Sequence, residues 1–268
     1  MKKNNNKKEI IITIACSFCV GVTAIVSALI ARQTLTKYEL RLVPSFDNIE
    51  TTDYFPLREG NFWEYIGTAR NAVGDGVIVE KKVKVSMSVV EVFRSANATL
   101  VTMKGHLSDA IWTLEAKHAT EEIIHIPESI YGYLIVANKI FRIEEGRLSL
   151  AKDMIRKGGY DEYNLIGDTN LEFEFPLFRG QVFGDFEQLA REDRSYVWHV
   201  AESTLYHVSE KDTIKEVPHY EIVHNTLPDY VGFSFVPYRG IISYSYSHHG
   251  TTAQLDLYLQ NYNVHTER

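Results

Sequence analysis

The chain has 268 residues, 45% of them hydrophobic and 24% charged, an ordinary globular composition with apolar material for a real core, which excludes a disordered or low-complexity protein. The net charge is −7, but residues 1–37 hold six Lys or Arg and one Glu, leaving −12 on the rest; that acidic body excludes phosphate-backbone binding by clustered cations, and no nucleic-acid partner is expected. The two cysteines, Cys16 and Cys19, both fall in the apolar N-terminal run, so a disulfide framework, a thiolate nucleophile and a cysteine zinc site are excluded from everything after them.

Lys2, Lys3, Lys7 and Lys8 precede residues 10–31, a run of 22 without a charge that Arg32 ends. About 20 apolar residues span a bilayer, so residues 1–32 are expected to be a membrane anchor. The lysines set its N-terminus in the cytoplasm and the body outside. The rival is a cleaved signal peptide, with small residues for cleavage at Val26-Ser27-Ala28; the length of the run favours the uncleaved anchor. Lipid attachment at Cys16 is rejected, because too little apolar sequence precedes it and too much follows. Residues 33–53 form a tether, and 54–268 a β-rich extracytoplasmic domain, with 54–170 and 171–268 as its expected repeat-related halves.

The domain opens on Phe55-Pro56-Leu57-Arg58-Glu59-Gly60-Asn61-Phe62-Trp63, and the phrase returns 120 positions later as Phe175-Pro176-Leu177-Phe178-Arg179-Gly180-Gln181-Val182-Phe183. Pro56 and Pro176 stand outside a strand because proline cannot donate to a ladder. Gly60 and Gly180 supply the φ > 0 of a tight turn, and an aromatic begins the strand. Strands are then expected at 63–68, 83–89, 98–103, 111–116, 122–126, 131–137 and 140–143, with a turn at 71–76 and a hairpin at Asn138-Lys139. In the second of these Val83, Val85, Met87 and Val89 share one face. Leu148 to Lys157 reads as a short helix stopped by Gly158-Gly159. Further strands follow at 195–202, 220–226, 230–236, 241–248 and 253–262, the last two joined by His249-Gly250-Thr251. Gly240 and Gly250 are turn positions like Gly60. The fold class is therefore all-β or mainly β: an antiparallel curved open sheet or half-barrel, or else a sandwich.

Pro56-Leu57-x-x-Gly60-Asn61-x-Trp63-x-Tyr65, then Asn138-Lys139-Ile140-Phe141-Arg142, then Val236-Pro237-Tyr238-Arg239-Gly240-Ile241-Ile242-x-Tyr244 with His249-Gly250-Thr251, occur in that order. Together they resemble a loosely defined group of uncharacterised bacterial exported β-rich proteins, many of them lipoproteins. The resemblance covers residues 54–262 and implies export and β-structure, with no activity to carry over. This chain departs from the group in lacking a credible lipid-attachment cysteine and in having Pro218-His219-Tyr220 where a Pro-Ala-Gly-like turn is usual.

Chemistry-bearing patterns are sparse. There is no Gly-x-Ser-x-Gly for a serine hydrolase and no HExxH or similar metal spacing. His219 and Glu221 share a strand face, whereas His248 and His249 point to opposite ones. Glu172/Glu174 and Asp185/Glu187 are formal carboxylate pairs for glycoside cleavage and equally fit solvated strand edges. No catalytic residue, metal or cofactor is expected. The expected role is non-catalytic, an envelope domain that is structural or binds an envelope protein. The alternative is a carrier whose curved sheet encloses an apolar or lipid-like ligand against Trp63, Tyr65, Phe233, Phe235, Tyr244, Tyr246 and His248; a hydrolase ranks third.

Overall fold

Alternation along the strands sorts the side chains into two faces. Trp63, Tyr65 and Ala69 of β1 (Phe62–Ala72) and Val83, Val85, Met87 and Val89 of β2 (Ile78–Arg94) are buried, while the residues between them are mostly polar and partly exposed. The chain is described from a computed structural model over residues 50–72, 77–112, 122–158, 171–210, 213–250 and 253–265. These belong to one compact unit, Ser45–Arg268. The charge-free run 10–31 lies outside the described residues, and among the described residues no helix is long and apolar enough to cross a membrane.

The remaining strands are β3 (Thr99–Lys104), β4 (Ile123–His125), β5 (Ile130–Val136), β6 (Lys139–Glu144), β7 (Leu171–Glu174), β8 (Val182–Gly184), β9 (Val197–Glu210), β10 (Thr213–Asn225), β11 (Asp229–Val236), β12 (Gly240–His248) and β13 (Ala253–Asn263). Their order in space is β7-β6-β5-β3-β2-β1-β13-β12-β11-β10-β9-β8, antiparallel at every step. The sheet curls into a nearly closed, barrel-like wall whose end strands β7 and β8 approach each other. This is the mainly β, antiparallel fold expected, in its curved half-barrel form carried close to closure. The order consists of two six-stranded meanders, β1 to β7 and β8 to β13, joined where β1 pairs β13. β4 stands outside the path and runs parallel to β2 at Lys82–Lys84, on an edge that β3 does not reach. β7 lies beyond residue 170 yet hydrogen-bonds to β6.

Among the described residues there are three short α-helices, α1 (Thr51–Tyr54), α2 (Asp109–Trp112) and α3 (Leu148–Arg156), the last led in by a 3-10 turn at Glu145–Arg147. The strand expected at 111–116 is not formed where it is described: Ile111 and Trp112 close α2. The amide of Asp109 donates to the His106 carbonyl (3.0 Å) and that of Ile111 to the Ser108 carbonyl (3.0 Å), starting a helical turn that competes with any ladder. α3 covers the outer wall, where a Cβ on Gly132 would meet the Leu148 side chain.

The two Phe-Pro-Leu phrases make the same backbone turn. Gly60 (φ +83°) donates to the Val89 carbonyl and the Val89 amide returns to Asn61; Gly180 (φ +85°) donates to Val200 and the Val200 amide returns to Gln181. Each glycine thereby starts the first strand of a meander. The buried amide side chain that follows it ties the turn to backbone, Asn61 through the Pro56 and His265 carbonyls and Gln181 through the Glu174 carbonyl. The Phe175–Pro176 peptide is cis. Both phrases send rings inward to one aromatic cluster, in which Phe55 lies 5.5 Å from Phe173 and from Phe235, and Tyr54 lies 4.7 Å from Phe175. With α1, these rings fill one end of the barrel.

Candidate functional site

The aromatic faces singled out from the sequence reach the interior, where Phe55, Phe173, Phe175 and Trp198 pack against them. Trp63, Tyr65 and Phe235 are fully buried, and Phe233, Tyr244 and Tyr246 nearly so. Trp63 Nε1 donates to the Arg239 carbonyl (2.6 Å) and the Tyr65 hydroxyl to Ile241 (2.8 Å), so their polar tips are satisfied by the barrel's own backbone. Phe233 stacks on Trp198 at 5.0 Å and meets Tyr244 at 5.4 Å. By strict alternation Ile242, two residues before Tyr244, would share its buried face. The β11–β12 register shifts between Ser234 and Phe235, and Ile241 takes the buried place instead.

Towards the opposite end the inner face turns polar. The Tyr246 hydroxyl and His248 Nδ1 both lie 2.7 Å from Asp229 Oδ1. Burial raises the Tyr246 phenol, and the Asp229 carboxylate adds to it, up to about 12. The Asp229 carboxyl is pushed up by desolvation, but the His248 and Tyr246 hydrogen bonds outweigh that and hold it below its usual value. His249 donates its amide to the Pro228 carbonyl, beside the Gly250 turn (φ +106°).

The densest charged group surrounds Glu172. The sequence suggested a solvated strand edge; the structure buries this side chain, because the register of β6 and β7 shifts beside it and turns it away from water. Its Oε1 accepts from the Tyr133 hydroxyl (3.1 Å) and faces His106 Nε2 at 3.6 Å. Desolvation alone would raise this carboxyl; His106, the Arg142 guanidinium and the Tyr133 hydroxyl together outweigh it and keep it below the normal carboxylate range. Arg142 lies 5.5 Å over the Tyr131 ring and makes no ion pair or hydrogen bond among the described residues. Glu172 Oε2 is buried without a hydrogen-bond partner.

His106 follows β3 in a loop that Asp109 clamps. The Asp109 carboxylate accepts the amides of His106 (2.9 Å) and Ser129 (3.0 Å) together with the Ser129 hydroxyl. Gly105 (φ +79°) lets the loop leave β3 against the Ser86 carbonyl, where a Cβ would collide. On the other side of the ring, His106 Nδ1 is 2.6 Å from Ser108 Oγ and accepts the Ser108 amide at 3.1 Å. His106 and Glu172 are buried, whereas Ser108 is partly exposed. Sequence reasoning missed His106, Ser108, Arg142, Tyr131 and Tyr133. The one local signal was His-x-Ser after a glycine.

Elsewhere, His219 Nε2 lies 3.0 Å from Glu221 on the outer wall. Asp185 caps the Glu187 amide as a local turn. A groove of about 820 Å³ runs past Thr51, Arg94, Asn97 and Asn138, and a cleft of about 250 Å³ beside Tyr196, Trp198 and His224. Among the described residues no three His, Cys, Asp or Glu side chains converge as metal ligands.

No protein-family model matches the chain, and no curated protein matches it. Two solved structures resemble it weakly. One is a Bacteroides fragilis protein provisionally described as exported, with a YmcC-like fold, at TM-score 0.33 and 11% identity over 77% of this chain and 96% of that one. The other is a provisionally described lipoprotein from Parabacteroides distasonis, at TM-score 0.34 and 11% identity over 80% and 100%. At these scores neither likeness carries an argument about this chain.

Proposed function

We propose that this is an extracytoplasmic domain of the cell envelope, tethered to the membrane by residues 10–31, that binds an envelope protein through its outer surface and carries no apolar ligand inside. The supporting observation is the packed aromatic interior. Among the rings offered for a pocket, Phe233 meets Tyr244, and Trp63 and Phe235 both pack on Phe55, while backbone carbonyls take the polar tips of Trp63 and Tyr65. The outside, in contrast, shows residues of the kind enriched at interfaces: Arg239 lies over the rings of Tyr262 and Tyr206 at 4.9 and 5.7 Å, and Tyr258 is 62% exposed. The 22-residue charge-free run behind four lysines supports the location.

The test is native mass spectrometry of detergent-free protein lacking residues 1–44, with titration by an environment-sensitive apolar dye. No co-purifying lipid and no saturable uptake are expected. Saturable binding weakened by Tyr246→Ala in a folded protein would replace this reading with the carrier.

A further inference from the structure

We propose that Ser108 is an activated nucleophile that accepts acyl groups from small esters, with His106 as its base and Glu172 as the group that orients the base. This goes beyond the partner-binding reading and does not depend on it.

The order of groups is that of nucleophile, base and orienting carboxylate. The amide of Ser108 donates to His106 Nδ1, which makes Nδ1 an acceptor and leaves the ring proton on Nε2, towards Glu172. The Ser108 hydroxyl, 2.6 Å from the same Nδ1, is thus placed to give up its proton there. Nε2 to Oε1 measures 3.6 Å, the kind of loose contact that tightens when a catalytic site is loaded. Glu172 is held ionised in a dry place, where it favours the imidazolium that forms as the serine loses its proton. The base and carboxylate are shielded from water while the nucleophile is reachable.

Two further features are more than a turn needs. The Asp109 clamp fixes the His106 loop to the start of β5, and the His106 ring is packed edge-on against Tyr131 at 5.1 Å. The cluster also keeps polar capacity that the fold does not use. Glu172 Oε2 is buried and unpaired, and Arg142 brings a positive charge without an ion pair among the described residues. Native structures leave few such groups unsatisfied without a reason.

In the step proposed, Ser108 Oγ bonds to the ester carbonyl carbon as its proton passes to Nδ1. The ester C–O bond then breaks, and the Nδ1 proton goes to the departing alkoxide. Water repeats the sequence on the acyl-serine, releasing the acid and restoring the hydroxyl. Ester and water are the only reactants.

The full-length protein would be treated with a fluorophosphonate and, separately, with p-nitrophenyl acetate, followed by intact-mass and peptide analysis. Single labelling at Ser108 is expected, abolished by Ser108→Ala. His106→Ala and Glu172→Gln, checked for folding by melting, should slow labelling about a hundredfold or more, while Ser243→Ala on the outer wall leaves it unchanged. Absence of label on Ser108, or equal labelling rates in folded His106→Ala, would overturn the proposal. If neither core variant folds, the wild type decides: Ser108 labelling no faster than that of other exposed serines equally overturns it.

Discussion

Glu172 shows how a single residue can be costly to bury and still contribute to stability. Its carboxyl, desolvated by burial, is kept ionised by His106, Arg142 and Tyr133, so its folded pKa lies below the unfolded value of roughly 4.3. A group depressed in this way stabilises the fold above the unfolded pKa, and the contribution disappears as the pH falls through the folded one. Asp229 and Glu221 are shifted in the same direction, so the acid sensitivity of the wild type is shared and only a difference isolates Glu172. Glu172→Gln should cost on the order of 1–3 kcal/mol near pH 7, the loss expected when a buried hydrogen-bonded charge loses its match. The gap from wild type should narrow as the pH drops from about 5 to 3. Urea denaturation across that range measures it; parallel curves would mean that the carboxyl is not ionised in the fold.

At the scale of elements, the turn before each meander is where local sequence and global topology meet. Gly60 and Gly180 have left-handed backbone, and nothing lies within 4 Å of an added Cβ. Alanine there should cost about 1 kcal/mol by conformation alone. Gly240 (φ +93°) differs, because its Cβ would sit 2.9 Å from the Phe55 ring and 3.3 Å from Trp63 Nε1. Gly240→Ala should therefore add an overpacking cost of roughly 1–3 kcal/mol. Urea midpoints at constant m rank the three, and equal losses would show that the Phe55 ring yields freely. Such turns were legible because glycine and proline mark them; β2 and β12 were legible because their alternation is clean, and β5 and β11 because they are short apolar runs between turn signals. β7 and β8, with four and three residues, are too short to show a period. The outer parts of β9 and β10 extend past the expected 195–202 and 220–226 because they pair with each other beyond the reach of a buried face. The helical turn at Asp109–Trp112 was hidden by the apolar texture of Ile111 and Trp112. The polar cluster was illegible for a different reason: His106 and Glu172 are 66 positions apart, and only the curl of the sheet, with the register shift beside Glu172, brings them together.

At the scale of the whole molecule, closure depends on strands that lie far apart in sequence. β1 begins at Phe62 and β13 ends at Asn263, yet they pair along nine positions and join the two meanders. The junction is locked at one end by Asn61, whose side chain accepts the His265 amide (2.9 Å) and donates to its carbonyl (3.3 Å). Leu255 and Leu257 of β13 are buried against the same core as Tyr65 and Tyr244. Neither meander can bury its inner face alone, because the aromatic cluster draws Phe55 and Phe173 from one and Phe233 and Phe235 from the other. Ending the chain after residue 252 would thus expose the ladder edges of β1 and β12 together and open the core along its length. That truncated protein should lose its cooperative melting transition altogether, while Asn61→Ala, which removes only the lock, should lower stability by about 1–3 kcal/mol and keep one transition. Far-ultraviolet circular dichroism against temperature distinguishes the outcomes. A truncated chain that still melts sharply would mean that the first meander, with what remains of the second, forms a core of its own, and that the β1–β13 seam is not what closes the fold.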